Sequence, residues 1–306
     1  MKNPAKVSFP WSMIDKITPR PDASVKKMLE DCGFTDTESI VTTKNTYVAP
    51  FVNAEEAQYL VIENAFPNGR PALENAGVMF TSRETVEKVE RMKVCTCLNP
   101  LHTALAVYGC LLGYTKISDE MKDADLVKLV EIIGYKEGLP VVTDPGILSP
   151  KKFIDEVLQI RVPNPFMPDT PQRIACDTSQ KLSIRFGETI KEYMASSELD
   201  VKSLKFIPMV QAGWCRYLLG VDDELNAFTV SPDPMYEELA GKLAGVKVGE
   251  SCDVHAVLSP ILSDAKIFGV NLYEAGLGEY VESIFAELIA GKGAVRETLK
   301  RHLAEA

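Results

Sequence analysis

Two kinds of hydrophobic pattern meet near residue 84. Before it the apolar positions come in short runs: residues 24–32 have helical spacing, while 45–52, 59–63 and 78–80 read as strands, so this stretch is mixed α/β. After it they recur at helical spacing over longer runs punctuated by Gly and Pro, at 84–98, 100–113, 121–133, 150–162 and 171–181 onward to 194. The pattern resumes at 234–243, 254–259 and 277–290 and closes with an amphipathic segment at 294–303. The expected fold is therefore mainly α, with residues 85–306 forming a helical domain behind a small mixed α/β unit at 1–84. Residues 103–112 are apolar on every side, the mark of a helix sunk in a core.

Composition is that of a folded protein, since 46% of the 306 residues are apolar and 25% charged, far from the signature of disorder. The 43 acidic and 33 basic residues leave a net charge of −10, which repels phosphate backbones and anionic lipid; no nucleic-acid partner is expected. No apolar run reaches the roughly 20 residues of a bilayer span, 103–112 being the best candidate, so no membrane crossing is expected. Residues 1–13 lack the apolar stretch of a secretory signal. The cysteines are odd in number and form no CxxC pair, as expected of packed, reduced thiols in a cytoplasmic protein.

Absent motifs narrow the chemistry further. No glycine-rich loop joins a strand to a helix near the start, so no complete nucleotide-binding unit is expected in this chain. GxSxG and P-loop motifs are missing, which leaves serine hydrolases and P-loop NTPases unsupported. His102, His255 and His302 show no ligand spacing, and Cys95 and Cys97 lack partners, so no metal is expected.

The most informative segment is Glu90-Arg91-Met92-Lys93-Val94-Cys95-Thr96-Cys97-Leu98-Asn99-Pro100-Leu101-His102. Pro100 has no amide proton and its ring clashes with the carbonyl of Thr96, so a helix passing through must kink or restart, with Asn99 as its N-cap. Such a break lets Lys93, Asn99 and His102 converge on one cavity at the mouth of a buried helix. A lysine desolvated there has its ammonium form disfavoured, the usual route to a general base. Glu90 either relays a proton or forms an exposed pair with Lys93. Each residue also has a plainer reading: Asn99 as a cap only, Lys93 as a solvated lysine, His102 as a satisfied core histidine.

A second cluster spans residues 169–181. Thr170 before Pro171 signals a helix start, after which Arg173, Asp177 and Lys181 fall at i, i+4 and i+8 on one stripe. The stripe is either a charge ladder on a wet face or two cations held by one carboxylate and presented to a polyhydroxylated or carboxylate-bearing ligand.

Three blocks of residues resemble the polyol-specific long-chain dehydrogenases/reductases, the family of mannitol 2-dehydrogenase and fructuronate reductase. They are Phe9-Pro10-Trp11-Ser12-Met13-Ile14-Asp15-Lys16-Ile17-Thr18-Pro19, the Lys93-to-His102 stretch leading into Gly113-Tyr114, and Asn164-Pro165 followed by Arg173-Ile174, Asp177, Ser179 and Lys181. Members of that family are usually longer, with a Rossmann-type domain before the first block; this chain looks like the family without it, residues 1–84 being that domain's remnant. The resemblance implies a metal-independent, NAD-dependent oxidoreductase acting on a sugar acid or polyol, with NAD held mainly by the domain this chain lacks. It implies Lys93 as general base, Asn99 on the reacting oxygen, Glu90 on the proton path, and His102, Arg173 and Lys181 on the sugar. Interconversion of D-mannonate and D-fructuronate is the first expectation, since Arg173 and Lys181 together suit a carboxylate. D-mannitol/D-fructose is the second, and a non-catalytic helical binding module or fragment the third. In this chain Lys93 and Asn99 stand one residue further apart than is usual in the family, so either a helix bulge restores the geometry or the base is another residue. Trp11 stands where many members have an asparagine, and Asn64 where an aspartate is expected.

Overall fold

In the computed structural model, which describes residues 7–14, 16, 21–52, 54, 58–167 and 169–306, the chain is mainly helical, as the hydrophobic pattern predicts. The N-terminal part holds β1 (Ser12–Ile14), α1 (Ala23–Asp31), β2 (Ile40–Val41), β3 (Tyr47–Val48), β4 (Leu60–Glu63) and β5 (Met79–Thr81). Asp15 and residues 17–19 of the first resemblance block lie outside the described residues. β4 is the centre of a three-stranded sheet, antiparallel to β1 (Met13 opposite Val61) and parallel to β5 (Ile62 opposite Phe80); β2 and β3 form a separate ribbon.

The helical part runs through α2 (Arg83–Met92), α3 (Asn99–Leu111), α4 (Ile117–Glu120), α5 (Ala124–Glu131), α6 (Pro150–Glu156), α7 (Pro171–Ile174) and α8 (Glu188–Ala195). It continues with α9 (Phe206–Tyr217), α10 (Tyr236–Leu243), α11 (Val254–Leu262), α12 (Ala265–Phe268), α13 (Gly278–Leu288) and α14 (Ala294–Ala304). Val86 and Val89 of α2 pack with Met13 and Val61 under the sheet, while Met92, one turn on, joins the main core. α2 therefore ties the sheet to the helical body.

α3 lies at the centre, against α4, α5, α7 and α9, and α9 packs in turn on α13. The helical path from Arg83 to Leu111 is continuous and, by length and composition, long enough to cross a membrane, contrary to the expectation drawn from 103–112 alone. In this fold 83% of its most apolar window is covered by protein, as in the core helix of a globular domain.

No element is read from the sequence between 194 and 234, yet α9 is there and all of its residues are buried. A helix covered all round shows no amphipathic period. Its Pro208 sits in the first turn, where a missing amide is harmless. The buried Glu137 carboxylate closes that end by accepting the N–H groups of Lys205, Phe206 and Ile207 at 2.7, 2.8 and 2.8 Å. The predicted continuous helix at 171–181 is also corrected. α7 ends at Ile174, Asp177 adopts a left-handed φ of 52°, and a single 3₁₀ turn follows at Thr178–Gln180. The reason is local competition: Thr178 Oγ1 donates to the Ala175 carbonyl, and Ser179 donates its N–H and hydroxyl to Asp233.

Among the described residues four helices include a π-helical turn, at Lys93–Cys97, Ile132–Gly138, Val157–Arg161 and Ser183–Gly187. The first packs against the second and the fourth, and Gly138 allows the closeness, since a Cβ there would lie 2.8 Å from Thr96 Cγ2. At Gly187 a Cβ would lie 2.2 Å from the Phe268 carbonyl oxygen, a backbone atom that cannot swing away. Gly187→Ala should therefore cost about 1–3 kcal/mol in urea unfolding. Gly241→Ala, inside α10 with nothing within 4 Å, should instead gain about 0.5–1 kcal/mol. Equal midpoints for the two variants would refute the close packing at Gly187.

Candidate active site

The site grows from the joint between α2 and α3. Past Met92 the chain winds as a π turn in which the Leu98 N–H reaches back to the Lys93 carbonyl at 3.1 Å. Leu98 leaves helical geometry at φ −130°, ψ −61°, and α3 begins at once with Asn99, Pro100 in its first turn. An α-helix turns about 100° per residue, so nine residues would set Lys93 and His102 on roughly opposite faces; one residue absorbed by the π turn brings them to about 80° apart. The bulge expected from the long Lys93–Asn99 spacing is thus present.

Asn99 is a helical residue and not the expected N-cap: no side chain caps α3, because the helix arrives from α2, and the His102 N–H is already taken by the Leu98 carbonyl at 3.0 Å. Its side chain is thereby left over, and Asn99 Oδ1 is buried without a hydrogen-bond partner among the described residues. Asn99 and His102 lie one turn apart on the same helix face. His102 borders a small cleft with a cavity volume of about 30 Å³, whose wall is polar at His102, Arg161 and Asp169 and apolar at Leu98, Ile117, Val162 and Met167. Lys93 is half-buried at the first position of the π turn, and Glu90 is exposed in the last turn of α2.

The charges are arranged differently from the predicted stripe. Arg173 turns its guanidinium onto Asp169, with Nε and Nη2 at 2.9 and 2.6 Å from Oδ1, and Lys181 Nζ donates to the carbonyl of Cys176. With the helix broken at Asp177, no hydrogen bond to that carboxylate holds either cation. Burial, and then the nearby Arg185, hold the Lys181 ammonium below its ordinary range. Trp11 and Asn64 lie at the sheet: Arg83 stacks on the Trp11 ring at 4.7 Å, and Asn64 Oδ1 accepts from Arg70 at 3.2 Å.

Three groups that the sequence does not single out complete the arrangement. Asp169 faces His102, Oδ2 to Nε2 at 3.7 Å. Arg185, in the π turn at Ser183–Gly187, donates to Thr103 Oγ1 at 2.6 Å, and Thr103 Oγ1 donates to the Asn99 carbonyl at 2.8 Å. Burial lowers the Arg185 guanidinium to about 10, still a cation at neutral pH, and it forms no ion pair among the described residues. Glu120 is fully buried behind Asp169, packed on Gly109, with neither carboxyl oxygen hydrogen-bonded among the described residues. Only the four-residue step from Lys181 to Arg185 could have flagged one of them in advance.

Burial pushes the His102 imidazole down to about 4 against the pull of Asp169, with Arg185, Arg161 and Arg173 adding to the push, so the ring is neutral near pH 7. A neutral imidazole on the cleft wall, with an unpartnered amide oxygen one turn away and a guanidinium that has no carboxylate among the described residues, suits a ligand bearing hydroxyl groups and negative charge.

The chain belongs to the mannitol dehydrogenase C-terminal domain family, whose profile matches residues 85–284. It is 60% identical over 298 residues to D-mannonate oxidoreductase of Thermotoga maritima, covering 96% of this chain and 55% of that protein. Mannitol 2-dehydrogenase of Aspergillus niger is 31% identical over 272 residues, 86% of this chain and 51% of that protein. The solved Pseudomonas fluorescens mannitol 2-dehydrogenase, a ternary complex with NAD and D-mannitol, matches with a TM-score of 0.75 at 26% identity over 99% of this chain and 56% of that one. This chain therefore spans about half the length of the relatives it matches.

Glu120 generates a stability prediction. Burial, then Asp169 and Asp123, raise its carboxyl from 4.5 to about 9, so between those values the folded chain holds a proton that the unfolded chain has lost. Stability should then fall as pH climbs from about 5 to about 9, by up to a few kcal/mol. Glu120→Gln should flatten that slope in urea melts at pH 6 and 8.5, and an equal slope in both proteins would mean the carboxyl is not buried uncharged.

Proposed function

We propose that this chain is the substrate-binding and catalytic part of an NAD-dependent oxidoreductase that interconverts D-mannonate and D-fructuronate, residues 85–306 forming that part and residues 1–84 the end of a nucleotide-binding unit. The observation that carries the reading is the buried Asn99 Oδ1, without a hydrogen-bond partner among the described residues, one turn before the neutral His102 and at the end of a π turn that begins with Lys93. In this reading the Lys93 amine takes the proton of the substrate hydroxyl and Glu90 passes it toward solvent. The Asn99 amide steadies the reacting oxygen as it gains negative charge. His102, with Lys181 and Arg173 behind it, holds the rest of the sugar.

No glycine-rich turn joins a strand to a helix among the described residues, so they form no dinucleotide cradle by themselves. In this reading NAD, held mainly by a nucleotide-binding domain outside this chain, would supply the hydride acceptor. Seven unpaired cysteines accord with a cytoplasmic location.

The substrate choice rests on the Thermotoga maritima relative and on Arg185, a buried cation with no carboxylate of its own among the described residues. Mannitol 2-dehydrogenases are also among the relatives, which makes D-mannitol/D-fructose the competing pair. Joined to the N-terminal half of the Thermotoga maritima relative, the chain should oxidise D-mannonate with NAD in preference to D-mannitol; the reverse order would reject the sugar-acid reading. In the same protein Lys93→Ala should lower turnover by about 10² or more. A near-normal rate would move the base elsewhere. If the 306-residue chain alone bound NADH at micromolar affinity, the division of labour proposed here would be wrong.

A further inference from the structure

Asp169 is anchored on one side and open on the other. Its Oδ1 accepts from Arg173 Nε and Nη2 at 2.9 and 2.6 Å and from the Thr170 N–H at 2.9 Å. Its backbone is pinned as well, the carbonyl accepting from the Ile117 N–H at 3.0 Å and the N–H donating to the Met167 carbonyl at 2.7 Å. The carboxylate therefore cannot turn without breaking several bonds. Its Oδ2 is buried and has no hydrogen-bond partner among the described residues, and the group it faces is His102 Nε2 at 3.7 Å. That is about 0.7 Å beyond a formed N–H···O bond, a gap that a small ring rotation closes. A buried carboxylate oxygen without a donor is costly, and an Nε2–H removes the cost where a bare Nε2 lone pair would add to it.

We propose that Asp169 is a positioning residue that holds His102 as its Nε2–H tautomer, which leaves Nδ1 as the acceptor for a substrate hydroxyl. Arg173 then acts through Asp169 and not on the sugar directly. The inference rests on reading His102 as a sugar-binding residue. The neutral state of the ring is what makes its tautomer matter: a doubly protonated imidazole offers no acceptor at all, and Arg161, Arg173 and Arg185 disfavour that form.

The tautomer is directly observable in the 306-residue chain. With ¹⁵N-labelled histidine, long-range ¹H–¹⁵N correlation at pH 7 separates the two ring nitrogens, and His102→Gln identifies the His102 signals among three histidines. Wild type should show His102 in one tautomer with Nε2 protonated. Asp169→Leu should lower the ratio of Nε2–H to Nδ1–H at least tenfold while the His255 and His302 signals stay in place, and Asp169→Asn, which keeps an acceptor, should lower it less. Wild-type His102 with Nδ1 protonated, or as an even mixture, overturns the proposal even if the variants do not fold; so does an unchanged ratio in a folded Asp169→Leu. No sugar is present in the sample, so failure here leaves the D-mannonate reading standing.

Discussion

A helix that keeps its direction but gives up one residue to a π turn sets the relative placement of three candidate groups at once. The turn at Lys93–Cys97 is held by the Leu98-to-Lys93 hydrogen bond and by the packing of Thr96 on Gly138, while Leu98 itself is buried and lines the cleft. A regular helix through the same residues would turn Lys93 away from His102. It would also give back a register in which Pro100 collides with the carbonyl of Thr96. The bulge meets both demands, and the apolar surroundings of α3 hold it, since any shift along the helix axis would drag a fully buried segment out of register with α5 and α9.

Burial then decides the charge states around that joint. The same loss of water pushes the His102 imidazole down to about 4 and the Glu120 carboxyl up to about 9, leaving both uncharged at neutral pH for one reason. The guanidinium of Arg185, lowered only to about 10, keeps its charge. Such a cation held by a hydroxyl alone raises the local potential, which disfavours a second cation at His102 and favours an anion arriving from solvent. Burial is thus the main cause of ring neutrality, and Arg185 adds to it.

The parts of this legible in the sequence are those that depend on neighbours along the chain. Residues 103–112 read as a core helix because no face is polar, and Pro100 announced a discontinuity; the Lys93–Asn99 spacing, long against the resembled family, left a bulge or a different base open, and the π turn is there. The family resemblance read from three blocks is borne out by the profile match at 85–284. What failed depends on partners distant in sequence. Asn99 reads as a cap only if the helix starts there, and the fold brings the helix in from α2. The stripe of Arg173, Asp177 and Lys181 needs a continuous helix, which Asp233, more than 50 residues away, breaks by binding Ser179. Asp169, given no role in the 169–181 cluster, is the group facing His102. α9 left no period because every side of it is covered.

Buried polar atoms without partners are rare in folded proteins, and each needs a physical reason. In this chain Gln211 and Trp214 Nε1 lie a turn apart in α9, whereas Asn99 Oδ1, Asp169 Oδ2 and both oxygens of Glu120 gather around the joint and its cleft. Packing could have removed the second group cheaply, by apolar residues of similar size, if stability alone were at stake. Protonation answers for Glu120. Asn99 and Asp169 stay unanswered unless donors reach them, from a hydroxyl-bearing ligand for Asn99 and from the His102 ring for Asp169. With Arg185 beside them offering donors to an anion, the complement is a molecule that carries hydroxyl hydrogens and a carboxylate together, and a sugar acid has both.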